Sequence, residues 1–168
     1  MYLSTAQPRL NNEMASEAYK RASKKSIFTK IREVVGAKEK KEMISYEALR
    51  EELHVDNQHD VGLQTISISD IVGTVGRNDD FDREFRPVRN VIQDKWENVA
   101  HAYYSGKPLP PVELIKVGQM YFVVDGNHRI SVMKMNGQDY VDAHVIELDT
   151  VEDIRTTGEY RAWLNCEE

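Results

Sequence analysis

The sequence predicts an α+β fold, a small mixed sheet flanked by helices with a helical extension at its N-terminus. Three observations predict it. Stretches rich in β-branched and aromatic residues recur at 65–69, 112–117, 120–124 and 140–148, and segments of helical periodicity lie between them. Turn chemistry separates them at Gly118-Gln119, Asp125-Gly126 and Asn136-Gly137. A basic, amphipathic stretch precedes them all. Division into a helical extension with its linker, 1–60, and a sheet-bearing domain, 61–168, follows from that order.

Taken in order, the first element is a helix in which Ile27, Phe28, Ile31, Val34 and Val35 recur at helical spacing and Gly36 supplies the stop. Ser45 reads as the N-cap of a short helix carrying Tyr46, Leu49 and Leu53. The polar run 54–60 reads as a linker. A strand follows at 65–69, then a loop from Gly73 to Pro87 that interleaves Arg77, Arg83 and Arg86 with Asp79, Asp80, Asp82 and Glu84. Pro87 is placed to open a helix whose face holds Val88, Val91, Ile92, Val99, Ala100 and Tyr103, with Trp96 beside it and Gly106 as its end. The proline pair Pro110-Pro111 announces a strand that turns through Gly118-Gln119 into a second. Gly126 then ends that strand, with Asn127 expected as N-cap of the helix that runs to Asn136-Gly137. A strand at 140–148 and a capped helix at 150–154 complete the expected order.

A strand that enters a helix through glycine aims free backbone N–H groups and the positive end of the helix dipole at one place, and anions bind there. Arg129 adds a forked, permanently charged donor and His128 a titratable one. Together they suit a polyphosphate. Asp82 and Glu84 lie among the arginines of the early loop, so they are the candidate carboxylates for orienting a phosphoryl acceptor. Asp125, next to the glycine, would repel a phosphate directly and is assigned a Mg²⁺ ion held through water.

The block from 64 to 154 resembles the ParB/sulfiredoxin-like superfamily, in particular its single-domain members, through Asp125-Gly126-Asn127-His128-Arg129, the preceding proline-led hairpin and the upstream Gly76-Arg77. The resemblance implies a site for ATP or another NTP, with Arg77 and Arg86 facing Gly126, Asn127, His128 and Arg129 across the nucleotide. It also implies phosphotransfer to a small molecule or NTP hydrolysis, with Mg²⁺, catalysed by Asp82, Glu84 and His128; kinases of free serine share the motif. Sulfinic-acid reduction is not implied, because Asn127 stands where sulfiredoxin has its reactive cysteine. Nor is there room after 154 for the helix-turn-helix and dimerisation regions of a full partition protein. The alternative is a DNA-associated regulatory or partition-related module without turnover.

Charge bears on that alternative. Residues 1–41 hold ten Lys/Arg and four Asp/Glu, a net of +6, whereas the remainder carries −12. A basic helix can lie on DNA, against the acidic remainder of its own chain, or in a homodimer contact. A single cysteine, Cys166, precludes an internal disulfide, and the His and Cys spacing matches no zinc site. The sequence shows no signal peptide and no membrane-spanning run, so a cytoplasmic protein with no membrane partner is expected.

Overall fold

Six strands form one mixed sheet in the order β1-β3-β5-β4-β6-β2. The computed structural model describes residues 6–35, 43–151, 153, 155, 157 and 158, with the side chains of 7–24, 43–90 and 92–151 among them. The elements are α1 (Ala6–Val35), β1 (Ile44–Ser45), α2 (Tyr46–Glu52), β2 (Val55–Ser67), β3 (Ile71–Thr74), α3 (Gln93–Tyr104), β4 (Val112–Val117), β5 (Met120–Asp125), α4 (Asn127–Met135) and β6 (Tyr140–Thr150). This is the mixed sheet with flanking helices that the sequence predicts. No described helix is long and apolar enough to cross a membrane.

Successive side chains in a strand point to opposite faces, and the sheet uses both. Leu114, Val123, Val141, Ala143 and Val145 face a core completed by Trp96 and Ala100 of α3 and Ile130 and Val132 of α4. Val72, Val117, Phe122 and Leu148 face the other way, under Tyr46, Leu49 and Leu53. Both N-terminal helices, read from the sequence as an extension, contribute to the core. The reason is spacing: Ala15, Tyr19 and Ala22 recur every three or four residues and bury one stripe of α1 against α3. The Tyr19 ring meets Trp96 edge-on at 5.5 Å, and its hydroxyl donates to the Arg89 carbonyl at 3.0 Å. The apolar positions from Ile27 to Val35 carry no described side chains, and Gly36 and Cys166 lie outside the described residues altogether.

Five local expectations are corrected. The run 54–60 is not a linker but the first half of β2, paired antiparallel with β6 from Val55–Thr150 to Ser67–Tyr140. Its residues are exposed on both faces, so cross-strand backbone bonds hold it and no apolar alternation marks it. Gly73 and Thr74, assigned to the loop, belong with Ile71 and Val72 to the buried parallel strand β3 between β1 and β5. Gly73 is required there, since a Cβ would stand 2.4 Å from the Ile44 carbonyl oxygen. The helix expected at Pro87 begins instead at Gln93, after a single 3₁₀ turn, because Pro87 bridges Phe81 and Arg89 is extended. Trp96, expected beside the apolar face, is fully buried at its centre. Lastly, Thr150 ends β6, and Val151 and Asp153 are not helical; Glu152 and Ile154 lie outside the described residues.

Candidate functional site

The turn from β5 into α4 is built by Gly126, whose φ of 105° and ψ of 18° lie in the left-handed region that glycine alone enters freely. Gly126, not Asn127, is the N-cap. With no side chain at the cap, the N–H groups of Asn127, His128 and Arg129 precede the first intrahelical bond, from Ile130 N–H to the Gly126 carbonyl at 2.9 Å. Asn127 is the first helical residue, 6% exposed, and its Oδ1 is buried without a partner. The His128 Nε2 is in the same condition, with the ring edge-on to Phe81 at 5.5 Å. A buried polar atom without a partner is costly, so two of them at one uncapped helix start mark a place suited to a polar ligand.

They border a cleft of about 360 Å³ whose other wall is Arg77 from the loop after β3 and Lys95 and Asn98 from α3. Arg77 is held by the buried Asp80 carboxylate at 3.0 Å. Lys95 makes no ion pair or hydrogen bond among the described residues, so its charge is open to the cleft. Burial is the largest influence on His128 and lowers its pKa from 6.5; Arg77 and Lys95 lower it further, against Asp80 and Asp125. The ring enters the cleft neutral. The folded protein therefore binds a proton less readily here than the unfolded chain does, and stability falls as pH drops through about 6.5. A His128→Gln protein is expected to lose less stability than the wild type between about pH 7.5 and about pH 5.5 in urea titrations.

Arg129 is largely spoken for. Its Nη1 donates to the carbonyls of Pro110 and Pro111 at 2.8 and 2.6 Å, and its Nη2 bonds the Asp125 carboxylate. With its side chain 12% exposed, it ties the start of β4 to the glycine turn and lends the cleft little free charge. Asp125 lines the cleft through the same ion pair.

The remaining sequence-predicted residues are not brought to this cleft. Asp82 accepts from the N–H groups of Glu84 and Arg86, both at 2.9 Å, and pairs with the Arg86 guanidinium at 3.7 Å. These bonds close a tight turn in which Phe85 has a positive φ of 57°. Burial still raises the Asp82 pKa above its usual value, more than its hydrogen bonds and Arg86 lower it. Glu84 pairs with Lys134 at 3.4 Å beside a second open cleft, formed with Ser67, Ser69 and Asp139. Sequence reasoning missed Lys95, Asn98 and Asp80. Lys95 and Asn98 stand three residues apart, hence on one helical face, but only the packing of α3 on α4 aims that face at the glycine turn.

No family model and no curated protein matches the chain. Among solved structures, sulfiredoxin from Arabidopsis thaliana is similar at 16% identity and a TM-score of 0.37, over 49% of this chain and 82% of that one. At that identity and TM-score the chemistry of the cleft rests on its own residues.

Proposed function

We propose that the protein binds a nucleotide, with its phosphates at the N-terminus of α4 between Arg77 and Lys95. The observation that carries this reading is the uncapped start of α4, where Asn127 and His128, each with a buried, unpartnered polar atom, line one cleft with Arg77 and Lys95. Backbone N–H groups, a helix dipole, an ammonium and a guanidinium are the donors phosphoryl oxygens need, and together they favour more than one negative charge. A neutral His128 donates to a phosphate oxygen and gains a proton as the anion arrives. No group of three or more His, Cys, Asp or Glu that could hold a metal occurs among the described residues. Mg²⁺ in this reading comes with the phosphates, which supply most of its oxygen ligands.

The reading is one of binding. Phosphotransfer would need a carboxylate beside the acceptor, and among the described acidic residues only Asp125 lines this cleft. A thermal-shift panel of ATP, ADP, CTP and GTP with and without Mg²⁺ tests it. A ligand at about 100 times its dissociation constant is expected to add about 2.7 kcal/mol of stability. Stabilisation by duplex DNA alone, decaying steeply as salt rises, would support the regulatory alternative instead.

A further inference from the structure

The sheet ends on one side at β2, a strand of 13 residues that pairs with β6 along one edge. Among the described residues, no strand pairs with its other edge. Proteins that remain single guard such an edge with lysine, proline, a bulge or simple shortness. β2 is long, spanning about 43 Å at the usual rise per residue. It contains no Lys, Arg or Pro. Its guards are two register shifts, at Val55–Asn57 and at Asp60–Gly62, and at the second the Asp60 carboxylate takes the Gly62 N–H at 2.8 Å. Beyond it, Val61 to Ser67 is a run without a single charge.

We propose that two copies of this chain join through the outer edge of β2, antiparallel, so that their sheets become one. A second copy is the occupant because of charge. A twofold axis sets a strand against itself, so a charged edge meets its own sign, and an uncharged run meets none. A foreign strand selected by charge would find nothing on 61–67 to read. Apolar exposure lies beside the same run: Leu63 is 57% exposed and stands opposite His144, sharing its face with Tyr140 at 60% and Ile146 at 42%. Backbone pairing supplies the affinity and these side chains the register.

Light scattering of the full chain across a dilution series tests this. The wild type is expected at twice the 19.4 kDa chain mass. Leu63→Lys and Gln64→Lys, each bringing two like charges close to the twofold axis of a self-paired 61–67 run, are expected to raise the dimer dissociation constant at least tenfold while the far-ultraviolet circular dichroism stays unchanged. The wild type supplies a readout free of any folding defect: exchange of the 63–67 amides slows as concentration rises. A wild type at single-chain mass at its highest soluble concentration would overturn the proposal. So would a dimer that both lysine variants leave intact, since the contact would then lie elsewhere.

Discussion

Gly126→Val is expected to destabilise the protein by about 2–5 kcal/mol, about 1–2 for a left-handed backbone and about 1–3 for overpacking. The two terms arise at one atom. A Cβ at this position would sit 2.5 Å from Cγ1 of Val112 and 2.9 Å from its Cβ, with the Arg129 Nε at 3.1 Å. Val112 is fully buried on β4 and cannot move aside without opening the core. Urea titration measures the loss, which is a large part of the roughly 5–15 kcal/mol that holds a domain of this kind together. What remains folded should also bind nucleotide poorly, because the shifted turn no longer aims the α4 N–H groups at the cleft.

Trp96→Ala should be as damaging, at about 3–5 kcal/mol for the cavity alone. Trp96 is fully buried, packs edge-on against Tyr19 of α1, and donates its indole N–H to the Ser131 hydroxyl at 2.8 Å. One side chain thus links α1, α3 and α4, and with them the two walls of the cleft. Ser131 is itself fully buried, so the substitution also strands a hydroxyl. Trp96→Phe combined with Ser131→Ala is expected to recover part of what Trp96→Ala loses. Equal destabilisation in the two proteins would contradict this account, since neither the volume refilled by Phe nor the removal of the stranded hydroxyl would then recover stability.

How much of this was legible in the sequence depends on where each signal resides. The hairpin from β4 to β5 and the glycine turn were legible because proline, glycine and alternating apolar residues act locally. The first half of β2 was not, since a ribbon exposed on both faces has no hydrophobic pattern to show. β3 was hidden by its shortness and by Gly73, which reads as loop chemistry until the Ile44 carbonyl beside it is seen. Of the residues that line the cleft, Gly126, Asn127 and His128 stand at a turn that the sequence marks by itself. The alternation of acids and arginines between Arg77 and Arg86 looked like one ligand-facing loop, yet Asp82 closes its own turn with the Arg86 N–H and guanidinium while Arg77 reaches the cleft. Lys95 depends on the docking of one helix against another, which no local pattern encodes.

Lys95 is also the most direct handle on the central claim. Its ammonium lines the cleft and bonds nothing else among the described residues, so removing it changes the field at the α4 start without releasing a structural bond. Calorimetric titration of the wild type and Lys95→Ala with ATP is the decisive measurement. Binding to the wild type, weakened about tenfold or more by Lys95→Ala at unchanged stability, is the result predicted for a lost charge-assisted contact. Absence of binding by the wild type, or equal affinity in the two proteins, would contradict a nucleotide held at this cleft.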